Sequence, residues 1–400
     1  MSTVSVTATV RLKPGHVQPV WMGHPWVYAQ AIERVEGGAT AGDEVRVVDP
    51  RGNLLGRGFY SPGSAIPVRL LVRDETTRLD AAFFRARIER ALRLRASLGL
   101  PGPHTTGFRL VHAEGDGLPG LVVDRFADVL AVQFGTIGLK LREADVLDAL
   151  WNLAAPRAII DRTTGQTAKT EKFTAASGVV RGAPDLAALT FVERDLRFSI
   201  PLELGQKTGF YFDQRQLRAR VEQLAHGRRV LDAYAFVGAF SMAAARGGAT
   251  EVVAVDESAL AVEIGAVCAR DNGLSDRIKF EKRDARHALA EAHGAFDLVI
   301  ADPPRLAPTR GAREQALVAY AKLAENACRA TRPGGLLVFC SCSAAVDLGA
   351  LTRALAQGAT RANVQATVLE RWFQGADHPV PSAFGEGLYL KALIAHIEAR

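Results

Sequence analysis

Cysteine and long apolar runs are both scarce in this chain of 400 residues. Its four cysteines lack the spacing of zinc ligands, so we expect no structural metal site and reduced thiols. No apolar run is long enough to span a bilayer, and residues 1–15 lack the apolar core of a signal peptide. Internal repeats and low-complexity tails are also missing. These absences predict a cytoplasmic protein that binds neither a metal nor a membrane.

The composition is that of a globular protein with more than one domain. Apolar residues make up 48% of the chain and charged residues 23%. A chain of 400 residues exceeds one typical domain, so two or three are expected. The net charge of +6 favours a polyanionic partner, although many proteins are mildly basic.

Five apolar runs of strand length alternate with helix-compatible segments in the C-terminal half. The runs are VLDAYAFVGAFS, EVVAVDES, FEKRDA, FDLVIADPP and GGLLVFCSCS. This alternation predicts an α/β fold whose sheet is mostly parallel and covered on both faces. Ligands of such sheets bind outside the carboxyl ends of the strands. The candidate site residues are therefore those that end the runs: Asp232, Asp256, Asp284, Asp302 and Cys342.

The loop after the first run predicts a nucleoside ligand without phosphates. It carries one glycine, Gly238, whereas a dinucleotide loop needs G-x-G-x-x-G to hold a pyrophosphate. Asp256 ends the second run near the offset at which an acid binds ribose hydroxyls, and Asp284 is placed to face an adenine amino group. A single glycine can also be a simple turn. Together, however, the glycine and the acids indicate S-adenosylmethionine in a class I methyltransferase.

The last two runs carry an acid and a thiol. Asp302 precedes two prolines that stiffen its loop, and Cys340 and Cys342 face one side if their strand continues that far. A thiolate that adds to C6 of cytosine makes C5 able to accept a methyl group, while an acid near N3 balances the charge. A cysteine in an apolar strand can instead be a small core residue. We expect Asp302 and Cys342 to share a pocket and Cys342 to be the nucleophile.

The N-terminal part reads as a small β-barrel followed by a helix. Residues 4–75 contain short strands separated by turns rich in glycine or proline. Residues 78–98 have the apolar periodicity of an amphipathic helix. Five arginines are predicted on its remaining surface, namely Arg85, Arg87, Arg90, Arg93 and Arg95. They form either a solvated face or a stripe that binds phosphates.

Several long motifs resemble one known family. GHPWVY, EGDGLPGLVVDRF, GQKTGFYFDQR, ADPP, SCS, GADHPV and EGLYLKAL occur in this order over nearly the whole chain. They resemble the bacterial ribosomal RNA large subunit methyltransferase I family, which methylates C5 of cytosine in 23S rRNA. The resemblance implies an RNA-binding PUA domain at 1–76, a small α+β domain at 77–188 and a methyltransferase domain at 189–400. It also implies Cys342 as the nucleophile. The target cytosine has to be unpaired or extruded, because the C6 face is stacked in a duplex. Related proteins often form dimers, but the sequence itself does not reveal the oligomeric state.

The resemblance also extends the cofactor site, because in related enzymes the segment around Gln214 and Arg215 lies over the cofactor. Asp302 is expected to steady the target base and to lie beside the methyl donor. The full predicted cofactor set is Gln214, Arg215, Asp232, Tyr234, Gly238, Phe240, Ser241, Asp256, Glu257, Asp284, Ala285 and Asp302.

Two other functions are compatible with parts of the sequence. Methylation of guanine N7 or of an exocyclic amine would make the cysteines structural. Amine methylation often uses an aromatic residue after Asp-Pro-Pro, and Arg305 stands at that position here. A non-catalytic assembly factor that binds RNA is the other alternative, and the intact set of strand-end acids argues against it.

Overall fold

The computed structural model describes residue 6 and residues 8–183, 185–204, 208–306, 311 and 313–400. The chain divides into two compact units. The first unit comprises Met1–Val192, Pro201–Phe210 and Ala376–Gly387, and the second comprises Glu193–Ile200, Tyr211–Gly375 and Leu388–Arg400. The predicted domain boundaries at 76/77 and 188/189 stay predictions.

The described part of the first unit contains a six-stranded sheet followed in sequence by a five-stranded one. The strands of the first sheet are β1 Ala8–Leu12, β2 Trp26–Val27, β3 Ile32–Glu36, β4 Glu44–Val48, β5 Leu54–Tyr60 and β6 Val68–Val72. Their order is β2-β6-β5-β4-β1-β3. The second sheet consists of β7 Gly107–His112, β8 Leu121–Phe126, β9 Val129–Phe134, β10 Ala158–Asp161 and β11 Gly178–Gly182, in the order β11-β10-β9-β8-β7. The helices are α1 Val17–Trp21, α2 Ala81–Ser97, α3 Ile137–Lys140, α4 Glu143–Ala154 and α5 Gly165–Glu171.

Helix α2 occupies most of the segment in which a helix is predicted. The Asp80 carboxylate caps its first turn by accepting the Phe83 N–H at 3.1 Å. Phe84 and Ile88 face the core. One expectation for this helix is wrong. Arg95 does not lie on the surface but is fully buried, because its guanidinium group forms a bidentate ion pair with Asp116.

The second unit contains a seven-stranded sheet that is parallel except at its C-terminal strands. Its strands are β14 Arg229–Ala233, β15 Glu251–Asp256, β16 Ile278–Lys282, β17 Phe296–Ala301, β18 Thr331–Ser341, β19 Val364–Phe373 and β20 Lys391–Ala399. The order is β16-β15-β14-β17-β18-β20-β19, and β20 runs antiparallel to both of its neighbours. The helices are α6 Arg215–Leu224, α7 Ala239–Arg246, α8 Ala259–Asp271, α9 Ala285–Glu291, α10 Arg313–Ala330 and α11 Leu348–Arg361. Each of the five predicted runs overlaps one strand of this sheet, so the predicted fold class is confirmed.

Two short strands precede this sheet in sequence. They are β12 Ala188–Glu193 and β13 Leu196–Pro201. Arg194 and Asp195 between them both have positive φ angles, of 49° and 67°. Two successive left-handed residues turn the chain sharply, which ends the first strand.

No helix in the described part of the chain is long and apolar enough to cross a membrane. The same residues contain no cluster of three or more His, Cys, Asp or Glu side chains that could hold a metal ion.

Candidate active site

The glycine loop after β14 has an unusual backbone conformation. Tyr234, Phe236 and Gly238 have positive φ angles of 67°, 52° and 74°. The turn is closed by the Gly238 N–H, which donates to the Ala235 carbonyl at 2.8 Å. A Cβ atom at position 238 would lie 2.7 Å from the ring of Phe280. Glycine at 238 is therefore required by both the backbone angle and the available space.

Asp232, near the end of β14, stabilises this loop through hydrogen bonds to Ser241. Its carboxylate accepts the backbone N–H of Ser241 at 3.0 Å and the Ser241 hydroxyl group at 2.6 Å. The side chain is buried, and burial raises its pKa to about 7. Phe240 is buried next to Ser241 in the first turn of α7. Asp232, Phe240 and Ser241, all predicted cofactor residues, thus have a structural role at the start of α7.

Asp256 is better placed to bind a ligand. Its carboxylate accepts the Phe236 N–H and the Ser258 N–H at 2.8 and 2.9 Å, which fixes its orientation at the end of β15. A carboxylate has about four acceptor sites, so Asp256 retains acceptor capacity for the two hydroxyl groups of a ribose. Glu257 follows it with a side chain that is 67% exposed.

Asp284 already has a cationic partner. It accepts the Arg286 backbone N–H at 2.8 Å and pairs with the Arg286 guanidinium group at 2.6 Å. The hydrogen bond from this side chain is the largest cause that lowers the Asp284 pKa to about 2. Its negative charge and, above all, burial raise the pKa of Tyr234 to about 12. Ala285, the next residue, is buried at the start of α9.

Asp302 lies level with Cys340 at the carboxyl edge of the sheet. Ala301 at the end of β17 pairs with Phe339 of β18, and Asp302 and Cys340 follow them. The Gln214 side-chain amide donates to the Asp302 carboxylate, and its oxygen lies 4.0 Å from the Cys340 Sγ. Gln214 therefore connects the two strand ends, and Arg215 is buried beside it.

Cys342 and Cys340 occupy different environments. Strand β18 ends at Ser341, so Cys342 lies just beyond it and is partly exposed. Cys340 is completely buried, and burial, followed by the charges of Asp302 and Cys342, raises its pKa well above the ordinary value. Since a thiol must lose its proton to act as a nucleophile, Cys342 is the better candidate of the two.

A buried tyrosine fixes the segment around Cys342. The Tyr320 hydroxyl group accepts a hydrogen bond from the Ser341 hydroxyl at 2.8 Å and lies 3.2 Å from that of Ser343. Tyr320 is buried on α10. Because both flanking serines are held on this side, alternation along an extended chain directs Cys342 towards the other side.

Tyr211 indicates that several predicted residues meet at this edge. Burial raises its pKa well above the ordinary value, and the next causes are the charges of Asp302, Asp213, Cys342 and Asp256. The Tyr211 hydroxyl group therefore lies within electrostatic range of Asp302, Cys342 and Asp256. Sequence reasoning did not select Tyr211, although it lies within the GQKTGFYFDQR motif.

Lys391 at the start of β20 was also missed. Its side chain is buried, and its ammonium group donates to the carbonyl oxygens of Ser343 and Tyr389 at 2.8 and 2.9 Å. The available signal was a single lysine within the apolar run LYLKALIA. Lysine is rarely buried without a charged partner, so a lysine in such a run indicates a functional role.

Comparison with known protein families agrees with this architecture. A PUA-like domain model matches residues 10–73, and a model described as S-adenosylmethionine-dependent methyltransferase matches residues 164–380. Together with the strand order, the second match defines the chain as an S-adenosylmethionine-dependent methyltransferase of class I.

Two curated relatives identify the family. The ribosomal RNA large subunit methyltransferase I of Shewanella denitrificans is 34% identical and covers 97% of this chain and 99% of its own length. That of Photobacterium profundum is 33% identical over 98% of this chain and 100% of its own. The chain therefore belongs to the ribosomal RNA large subunit methyltransferase I family, as the sequence motifs predict.

Solved structures show the same fold over nearly the whole chain. The methyltransferase SMU.776, crystallised with SAH, superimposes with a TM-score of 0.84 at 18% identity, covering 98% of this chain and 100% of its own. An S-adenosylmethionine-dependent methyltransferase from Streptococcus mutans gives a TM-score of 0.82 at 16% identity, with coverage of 97% and 99%.

Proposed function

We propose that this protein transfers a methyl group from S-adenosylmethionine to C5 of a cytosine in 23S rRNA, with Cys342 as the nucleophile. The observation that carries the proposal is a partly exposed thiol just beyond the end of β18, the strand that pairs with β17, which Asp302 directly follows. Its curated relatives are named for ribosomal RNA of the large subunit. If the enzyme methylated guanine N7 or an amine, all four cysteines would be structural. Cys268, Cys328 and Cys340 are buried, as structural cysteines usually are, whereas Cys342 is partly exposed.

The reaction begins with the addition of the Cys342 thiolate to C6 of cytosine. The sulfur electron pair forms the Sγ–C6 bond, the electrons of the C5–C6 double bond move to C5, and a proton shared between Asp302 and N3 balances the charge. S-adenosylmethionine, when bound, supplies the electrophilic methyl group. Loss of the C5 proton then restores the C5–C6 double bond and expels the thiolate from C6. Asp302 is held for its role by the Gln214 amide.

The residues of the second unit fit this cofactor. Asp256 retains acceptor capacity for the ribose hydroxyls, and the turn at Gly238 brings backbone to the same edge. Asp284, which also binds Arg286, would lie by the adenine. In the same proposal Gln214 and Arg215 border the cofactor, and Tyr234, Phe240, Ser241, Glu257 and Ala285 shape its site.

The target cytosine must be unpaired or turned out of its helix, because the C6 face is stacked in a duplex. We also propose that the enzyme works in the cytoplasm and that its three domains have the boundaries predicted from the sequence. Dimerisation stays a prediction.

Labelled nucleosides give the direct test of this function. Unmodified 23S rRNA incubated with the protein and methyl-labelled S-adenosylmethionine should, after digestion, carry the label in 5-methylcytidine. Label in 7-methylguanosine or in an N-methylated base would replace the proposal with one of the other chemistries. Binding of RNA without any label would favour an assembly factor.

An arginine-lined cavity in the first unit is a candidate contact for the RNA backbone. The cavity has a volume of about 540 Å³ and lies between β6 and α2, where Arg87, Arg90 and Arg93 contribute to its wall. Arg87 donates to the Leu71 carbonyl at 3.2 Å, and Arg93 pairs with Glu89 at 3.3 Å. Arg90 forms no ion pair with any described residue. Its guanidinium group is therefore the one best placed to bind a phosphate.

We expect Arg90→Glu to weaken binding of 23S rRNA fragments on the order of tenfold at low salt and to reduce the salt slope of affinity, because one phosphate contact is lost. Arg85→Glu is the matched control, since Arg85 lies on the same helix with the same charge but outside the cavity wall. Equal losses for the two variants in a filter-binding titration would assign the effect to net charge alone.

A further inference from the structure

The proposed nucleophile needs a group that favours its thiolate form, and sequence reasoning identified none. An ordinary cysteine has a pKa of about 8.5, so only a few per cent is ionised at pH 7. A cation close to the sulfur is one of the devices that lower this value. The cationic groups around Cys342 therefore decide how reactive it is.

Lys391 is the buried cation nearest to the Cys342 segment by sheet register. It opens β20 and pairs with Ser341, the last residue of β18, so its side chain leaves the sheet on the Ser341 side, at the strand end that Cys342 follows. Its Nζ donates to the carbonyl of Ser343, the residue directly after Cys342, at 2.8 Å. The Lys391 ammonium group thus lies against the backbone of the residue directly after Cys342, within the range of its charge.

The ammonium group of Lys391 lacks a carboxylate in contact. Its two hydrogen bonds go to the neutral carbonyl oxygens of Ser343 and Tyr389, and an ammonium has three N–H groups. No carboxylate of the described residues lies within 4.0 Å of it. A buried charge without a counter-ion is unfavourable, so this position gains stability whenever an anion forms beside it.

The charged groups that face Lys391 are few. Burial is the largest cause that lowers its pKa, to about 8, while the charges of Cys342 and Asp347 raise it and that of Arg305 lowers it. Asp347 is occupied at the start of α11, where it accepts the Ala350 N–H and pairs with Arg313. Cys342, when ionised, is the other anion that raises the Lys391 pKa.

We propose that the Lys391 ammonium group stabilises the thiolate of Cys342, which makes Lys391 a positioning residue for the nucleophile. This inference rests on the proposed role of Cys342. A protonated lysine attracts the sulfur strongly only when the thiol is ionised. The ion pair therefore exists only while Cys342 is a thiolate and Lys391 is an ammonium group. The stabilisation is therefore present at neutral pH and is lost as the pH rises through the pKa of the lysine.

The other titratable groups near the pair act in the opposite direction. Asp302 and Cys342 each contribute to the raised pKa values of Tyr211, Tyr320 and Cys340. The negative charge of Asp302 disfavours a second negative charge on a neighbouring thiol. The positive charge of the buried Lys391 thus opposes the effect of Asp302 on the ionisation of Cys342.

The test measures the ionisation of Cys342 rather than product formation. The rate at which iodoacetamide alkylates Cys342 is followed against pH by peptide mass spectrometry, with the three buried cysteines as internal controls. In the wild type we expect a midpoint below the ordinary value of about 8.5. In Lys391→Met, which keeps length but removes charge, we expect a midpoint about one unit higher and an alkylation rate at pH 7 about tenfold lower. Lys391→Arg should restore part of the shift.

A wild-type midpoint at or above 8.5, or an unchanged midpoint in Lys391→Met, would overturn the inference. If Lys391→Met fails to fold, which circular dichroism reports, the same comparison is made with Lys391→Gln, which removes the charge but keeps a hydrogen-bond donor, and an unchanged midpoint there overturns the inference equally. The proposed function fails on a different observation, namely methyl label in a nucleoside other than 5-methylcytidine, and the proposed role of Cys342 fails if a protein without this thiol still forms 5-methylcytidine. The two outcomes are therefore distinguishable.

Discussion

Replacement of Cys342 by alanine is expected to abolish formation of 5-methylcytidine, with a loss of rate on the order of 10³ or more. Without the sulfur, C5 of cytosine cannot become nucleophilic, so no other residue of the site can compensate. S-adenosylmethionine binding, measured by calorimetry, should be nearly unchanged. Tritium transfer from the methyl donor to an rRNA fragment, followed by nucleoside analysis, gives the measurement.

Cys340→Ser is the matched control for this prediction. Cys340 precedes Cys342 by two residues but is fully buried in contact with Gln214. Serine has a similar size and can donate to the same amide oxygen, so we expect near-normal activity. Loss of activity in Cys340→Ser with retention in Cys342→Ala would exchange the two roles.

Covalent trapping separates the nucleophile from a residue that merely binds. A cytosine with fluorine at C5 has no proton to release, so the adduct at C6 should accumulate as a protein–RNA species that survives denaturing electrophoresis. We expect this species for the wild type and for Cys340→Ser but not for Cys342→Ala.

The largest effect on stability is expected for Arg95→Met. The Arg95 guanidinium group forms two hydrogen bonds with Asp116, at 2.6 and 2.8 Å, and both side chains are buried. It also donates to the carbonyls of Arg109 and Asp377. Removing the cation leaves a buried carboxylate uncompensated, so the free energy of unfolding should fall by about 3–5 kcal/mol. Urea titration followed by circular dichroism measures this loss.

Arg93→Met provides the comparison on the same helix. Arg93 is 66% exposed, and among the described residues its ion pair is with Glu89, one helical turn away. Exposed pairs of this kind contribute at most about 1 kcal/mol. A double variant, Arg95→Met with Asp116→Leu, should recover part of the stability because no buried charge remains. Equal losses for Arg93→Met and Arg95→Met would contradict the prediction.

Five strands of the second unit could be predicted because each lies in a short, mainly apolar run that ends in a polar residue. Val230, Val252 and Leu298 lie in such runs and are fully buried in the sheet. Local periodicity failed at Arg95, which looks like one more exposed arginine of an amphipathic helix. Its partner Asp116 is 21 residues away, and no local pattern signals such a pair.

The site was predictable as a set of strand ends but not as a set of contacts. Asp256 and Asp302 follow from the rule that ligands bind at carboxyl edges. Gln214 reaches Asp302 over 88 residues, and Lys391 reaches Ser343 over 48. Such hydrogen bonds depend on how helices and strands are placed, which one sequence does not reveal. The predicted roles of the individual site residues stay predictions.

The path of the chain through the two units has a consequence for its biosynthesis. Residues 376–387, which lie between β19 and β20, belong to the first unit. The Asp377 carbonyl accepts from Arg95 and its carboxylate from the Arg109 N–H. A nascent chain therefore cannot complete its first unit before residues 376–387 have been synthesised. We conclude that both units reach their final form only when the last strands emerge.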